Sequence, residues 1–325
     1  MSLPFGGDLP RFLFPLVVMA TALALGYALK PRLREPVAAS RRLTRIGLIY
    51  LDPLNIILAL WAAKLHDPKL VPLPVIGLSM ALLAAVPAVL WTRIRRTPPR
   101  RAGVLVGASM LSNLGPTFGT FMCFVLAGEP GYAAATLFTL YFYPTFYTLG
   151  LLIGRRYSSD KTLSPLQYIG DAMRDPANRN PVLAVFVGLL FGLFGRARPA
   201  FLELVPTVLV PSTTFVYLAA IGMTLNFDRV RDYVPHSAAM GLVKFVYTPL
   251  LGLAFIWAYS LLGPPDAVHK QVILVQAFMP TAIFSLIMAN LFDLERDLAN
   301  TLWLLTNGAG IVLSPLILIL ARLIQ

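Results

Sequence analysis

Two charged residues stand where charge is expensive. Asp52 lies inside the apolar run LIYLDPLNIILALW, and Lys244 inside MGLVKFVYTPLLG. An ionisable side chain within a membrane span costs about 2.5–3.5 kcal/mol on insertion scales and normally faces a protein interior or a cavity, so both are candidate coupling groups. Ordinary alternatives exist: Asp52 as a cap or turn before Pro53, and Lys244 reaching the membrane surface from about seven residues into its run. Nothing in the sequence sets the distance between them, so an Asp52–Lys244 ion pair is also open.

A second kind of chemistry comes from interrupted helices. SNLGPTFG (112–119) and QAFMPTAIFS (276–285) each place Pro in the middle of an apolar run. Either proline alone reads as a kink, but Gly/Pro-interrupted runs at corresponding places in two halves of a chain point to a binding site at the bilayer midplane. Unwound backbone exposes N–H and C=O groups that hydrocarbon cannot satisfy, so the breaks must face protein or a water-filled cavity. Positive half-helix N-termini there suit an anion. Candidate binding residues at the breaks are Asn113, Gly115, Pro116 and Thr117, then Pro280, Thr281 and Gln276, the last one helical turn before Pro280. Asn55 and Thr213, in the second run of each half, join them.

These residues need elements to position them. The 325-residue chain is 57% hydrophobic and 13% charged, with a mean hydropathy of +0.73; soluble domains carry about 25% charged residues. The class is therefore all-α, a polytopic membrane protein. A span takes about 20 apolar residues, and ten runs fit: about 10–29, 43–63, 70–92, 102–126, 131–153, 180–195, 202–226, 237–262, 271–291 and 298–321. The first run is read as a helix, not a leader, because another membrane run follows it. A net charge of +12 would suggest nucleic acid for a soluble protein, but here it divides by loop. Nineteen Lys and Arg follow odd-numbered spans against seven on the other side, which predicts both termini outside the plasma (inner) membrane and excludes nucleic acid as the expected partner.

The long polar stretch within 154–180 separates five runs from five. An odd number per half requires opposite insertion, the arithmetic of an inverted repeat. The expected organisation is a first five-helix repeat (1–153), a cytoplasmic linker (154–179) and a second repeat (180–325). Other chemistry is absent from the sequence: His66, His236 and His269 lack metal spacing, and no nucleophile elbow, P-loop or acidic metal cluster occurs. No enzyme activity and no cofactor are expected. The single cysteine, Cys123, forms no intrachain disulfide and is given no role.

SNLGPTFG followed by LAGEPGYAAATLF resembles the fourth helix of the auxin efflux carrier family, as do NRNPVLAVFVGLLFGL, LVPSTTFVYLAAIGMTL and QAFMPTAIFSLIMANLFDLERDLAN in later helices. The resemblance is strongest over 105–135 and 176–300. It implies a fold like that of the bile acid:sodium symporters: ten helices in two inverted five-helix repeats, the fourth and ninth broken and crossing between a panel-like scaffold and a core. It further implies transport of an organic anion, with Asn113, Gly115, Pro116, Met279 and Pro280 at the crossover. Gln276 departs from the pattern, standing where the sodium symporters often carry a carboxylate. Sodium, if it couples, would rest on neutral oxygens of Ser112, Asn113 and Gln276; otherwise Asp52 is the candidate proton carrier, making H+ or Na+ the candidate coupling ions. The reading is a secondary transporter of a small carboxylate or amphipathic acid, by alternating access. Its rivals are a sodium-coupled bile-acid-type symporter, a passive channel or facilitator, an intramembrane enzyme and a sensory module. A homodimer is compatible with the sequence.

Overall fold

A computed structural model describes residues 8–63, 65–158, 170, 173–194, 198–261, 263 and 266–324. Helices α1 (Asp8–Leu29), α2 (Pro36–Ala62) and α3 (Pro72–Ile94) come first. They are followed by α4 (Pro99–Met110), α5 (Gly119–Phe138) and α6 (142–157). Beyond the central stretch come α7 (Pro176–Leu193), α8 (Val205–Gly222) and α9 (234–260), then α10 (Ala267–Ala277), α11 (Phe284–Leu291) and α12 (Arg296–Leu323). Among the described residues there is no β-strand, only an isolated antiparallel bridge between Ser112 and Thr281. Seven helical stretches among the described residues are long and apolar enough to cross a membrane.

Helix starts follow local chemistry. Pro36, Pro72, Pro99 and Pro176 occupy first turns, where a missing N–H costs nothing. Asp175 caps α7 by accepting from Ala177 N at 3.0 Å and pairs with Arg45 at 2.9 Å. The Ala177 N–H, then Arg45, hold the Asp175 carboxyl below the usual carboxylate range. This cap starts α7 inside the stretch assigned to the linker, and α6 likewise ends within it, at Tyr157. The middle of that linker, residues 159–169, 171 and 172, lies outside the described residues, as do Lys64 and Arg196 of the charge count.

The expected boundary between the fourth and fifth runs, 127–130, coincides with a sharp kink inside α5, which joins the end of one run to the start of the other. The turn is made at Gly128, whose backbone (φ 64°, ψ −145°) is open to glycine and strained for other residues. The fourth and ninth runs are both interrupted, α4 from α5 by residues 111–118 and α10 from α11 by 278–283.

Packing forms two groups, which also meet where α1 lies against α12 and α2 against α5. Helices α1, α2, α7 and α8 form a panel, in which α2 lies along α7, α1 along α8, and α8 crosses the start of α2. Helices α3 to α6 and α9 to α12 pack around the two breaks, with α5 on α10, α3 on α4, and α12 against α4, α9, α10 and α11. The α2–α7 contact depends on Gly188 and Gly192, spaced i, i+4 on α7. A Cβ at Gly188 would meet Leu60 Cβ at 2.9 Å, and one at Gly192 would meet Leu60 O at 2.5 Å. Small residues at this spacing let backbones approach without a hydrophobic driving force.

Gly192→Leu should therefore cost at least the usual overpacking penalty of about 1–3 kcal/mol. The measurement is thermal unfolding of the detergent-purified variant beside an exposed Leu190→Ala control. Equal stability of the two would show that α2 and α7 do not approach this closely.

Candidate functional site

Asp52 is placed by a proline. Pro53 has no N–H to give the Ile49 carbonyl, and that carbonyl accepts instead from Asn180 Nδ2 of α7 at 3.2 Å. The preceding turn, Gly47–Leu51, widens to π-helical bonding, with Asp52 N on Gly47 O. Helices often carry such bulges at functional sites. Asp52 is buried, 6% exposed; its Oδ2 accepts from Tyr217 OH of α8 at 2.8 Å, and its Oδ1 has no hydrogen-bond partner among the described residues. Lys244 sits in a similar turn, Val243–Tyr247, ahead of Pro249.

At the crossing, the two unwound strands bond to each other. Asn113 N donates to Pro280 O at 2.7 Å, and Ala282 N to Leu111 O at 2.9 Å. The surrounding helices satisfy much of the rest. Thr214 of α8 donates to Pro116 O at 2.5 Å, Gln276 Nε2 to Leu114 O at 3.2 Å, and Thr281 N to Thr306 Oγ1 at 3.2 Å. Asn307 of α12 joins both strands: its Nδ2 donates to Thr281 O at 2.8 Å, and its Oδ1 accepts from Asn113 Nδ2 at 3.0 Å. Thr117 Oγ1 donates to Asn113 Oδ1. Gly119 gives Gln276 room to lie against α5, since a Cβ there would fall 2.2 Å from Oε1.

Between the panel and this crossing lies a cavity of about 320 Å3. The panel contributes Thr44, Leu48, Asp52, Asn55, Ile56, Tyr217 and Ile221. The other wall is made of 112–117 with Thr120, of Tyr132, Thr136, Thr139 and Phe142, and of Ala282, Ile283, Phe284 and Ile287. The N-termini of α5 and α11 both open on this wall. Asp52 is the one ionisable acid among the described lining residues, which include no Lys, Arg or His.

The cavity thus brings together Asp52, Asn55, Ser112, Asn113, Gly115, Pro116 and Thr117. It does not include Gln276, Met279, Pro280, Thr281, Thr213 or Lys244. Met279, Pro280 and Thr281 are buried behind the strand crossing, and Gln276 against Leu114. Thr213 acts one step back by accepting from Asn55 Nδ2 at 2.8 Å, while Tyr132 OH donates to Asn55 Oδ1 at the same distance. The open Asp52–Lys244 pair is not formed: Asp52 is held by Tyr217, and Lys244 Nζ donates to Ser109 O at 2.7 Å and Ser112 Oγ at 2.8 Å.

Sequence reasoning missed Tyr217, Tyr132, Thr306 and Asn307. The tyrosines read as apolar bulk, although Tyr217 follows Thr213 by one helical turn on the same face. Thr306 and Asn307 gave a clearer signal, as an adjacent polar pair well inside the last span, six residues past the Asn300–Thr301 pair near its start.

The family described as membrane transport protein matches residues 12–319. An uncharacterized transporter of Methanothermobacter thermautotrophicus is 25% identical over 305 residues, covering 90% of this chain and 92% of its own. An uncharacterized transporter of Methanocaldococcus jannaschii is 23% identical over 247 residues, 74% of this chain and 76% of its own.

Asn307→Ala strands the Thr281 carbonyl and the Asn113 amide in a buried setting, at about 1–3 kcal/mol for each group. Its thermal unfolding should fall by that amount relative to Asn300→Ala, whose partner Asn226 O lies at the exposed end of the helix. Matching stability in the two variants would remove α12 from the support of the crossing.

Proposed function

We propose, since the chain belongs to the membrane transport protein family, the auxin efflux carrier group that its motifs resemble, that it is a secondary carrier of an amphipathic organic acid. The panel acts as scaffold, the helices around the crossing move against it, and the cargo occupies the cavity between them in alternating access. The carrying observation is the cavity itself: one wall is panel, and the other is the unwound backbone. Two panel-to-core hydrogen bonds, Thr214 to Pro116 O and Tyr132 to Asn55, lie at that boundary. In support of five-helix repeats, α1 on α8 and α7 on α2 are the same contact with the halves exchanged, as are α3 on α4 and α9 on α10.

The lining argues for an amphipathic acid over a small dicarboxylate. Leu48, Ile56, Phe142, Ile221, Phe284 and Ile287 offer apolar surface for a carbon skeleton. For the acid group there are the N-terminal ends of α5 and α11 and the Asn113–Thr117 pair. Backbone N–H groups of Gly115 and Thr117 make no bond among the described residues.

Proton coupling follows from charge. Two unit charges about 6 Å apart, at an effective dielectric of about 20, repel by about 3 kcal/mol. An anion therefore enters beside Asp52 about 100-fold more favourably when that carboxyl carries a proton. Among the described lining residues there is no cationic side chain to offset that repulsion, only the partial charges of the helix ends.

Purified protein in proteoliposomes should accumulate a monocarboxylate with an apolar body under an inward-directed acid gradient, and show counterflow. Asp52→Asn should keep exchange but lose the response to pH. Accumulation driven by sodium and not by protons would defeat the proton assignment, linear unsaturable flux would favour a channel, and uptake of an amphipathic amine would overturn the anion. The charge asymmetry supports both termini outside. A C-terminal reporter active only in the cytoplasm would reverse that orientation.

A further inference from the structure

Lys244 takes no part in the cavity lining, yet its side chain is completely buried. It reaches from the π-helical turn of α9 to the end of α4, where its Nζ donates to Ser109 O and Ser112 Oγ at 2.7 and 2.8 Å. No carboxylate lies within ion-pair distance of it among the described residues. Its surroundings are instead the negative end of a helix that stops in the middle of the membrane.

Neighbouring carbonyls there find neutral donors. Gly107 O accepts from Leu111 N at 2.9 Å, Ala108 O from Thr281 Oγ1 at 3.4 Å and Leu111 O from Ala282 N at 2.9 Å. Ser109 O accepts from an amine. A helix C-terminus carries about half a negative charge, and a cation is favoured there. Within hydrocarbon this end has no water to screen it, so the charge must be met by protein or by a bound ion. A lysine amine has three donors and, once charged, no acceptor to satisfy. A carbonyl and a hydroxyl oxygen suit it as they would suit a small monovalent cation.

We propose that the Lys244 ammonium is a tethered cation filling a monovalent-cation site at the end of α4, so that the crossing is assembled and neutralised without a free ion. Removing the side chain opens that site to a small free cation. The inference deepens the transport reading, on which only its consequence for coupling rests: the carrier has no place left there for sodium. Binding at the site requires no cargo.

The test is thermal unfolding of purified protein in sodium, methylammonium or choline chloride at equal ionic strength. The parent should unfold at one temperature in all three. Lys244→Ala should unfold lower in choline and recover saturably in sodium or methylammonium, whereas Lys244→Met, which fills the space without charge, should stay low in all three. Saturable stabilisation of the parent by sodium overturns the proposal, as does Lys244→Ala without recovery in either cation. Should Lys244→Ala not fold, the folded yields of Lys244→Arg and Lys244→Met decide it: a tethered cation requires Arg to exceed Met, and equal yields refute it. Absent uptake by the parent would count against the transport reading alone.

Discussion

Every backbone polar group that leaves a helix inside a bilayer needs a partner, because hydrocarbon supplies none. Two strands leave their helices here, residues 111–118 and 278–283. Each first satisfies the other, through Asn113 N to Pro280 O and Ala282 N to Leu111 O. The remaining groups draw partners from outside the strands: Thr214, Gln276 and Asn307 donate to strand carbonyls, Thr306 accepts from Thr281 N, and Lys244 donates to Ser109 O at the adjoining end of α4. Those five come from four helices, α8, α9, α10 and α12. Much of the arrangement of helices can be understood as what is needed to bring these partners to one place.

The same requirement explains the cavity. Four of these five residues belong to the helices packed around the crossing, and only Thr214 comes from the panel. The crossing is therefore tied firmly on one side and lightly on the other, and the cavity opens on the lightly tied side. A panel built on close backbone approach, as at Gly188 and Gly192, can stay rigid while the rest moves. The alternating-access motion proposed above would break few bonds, Thr214 to Pro116 and Tyr132 to Asn55 among them.

The two intramembrane charges then differ in surroundings despite similar placement. Asp52 and Lys244 both sit at π-helical turns ahead of a proline, a device that turns a side chain out of the regular helical stripe. Asp52 faces the cavity, one oxygen held by Tyr217 and the other without a hydrogen-bond partner among the described residues. Lys244 faces the other way, into the closed end of α4.

How much of this was legible beforehand depends on the range of the interaction. Membrane class, most helix positions and the two breaks follow from local sequence, since hydropathy over about 20 residues and the missing N–H of proline act within one element. That Asp52, Asn113 and Thr117 would face protein or a cavity was legible for the same reason: polar groups in an apolar run are costly wherever they point. Direction was not legible. Whether Gln276 and Thr281 line a cavity or prop up a strand, and whether Lys244 meets Asp52 or Ser109, depends on which helix lies opposite. Tyr217 and Tyr132 carry no local sign of their hydroxyl partners, which come from other helices, 165 and 77 residues away in the chain. Sequence by itself determined that backbone would be unwound in the membrane and where; only the tertiary structure decided which groups would satisfy it, because a hydrogen bond is settled by distances between helices that no single run of residues encodes.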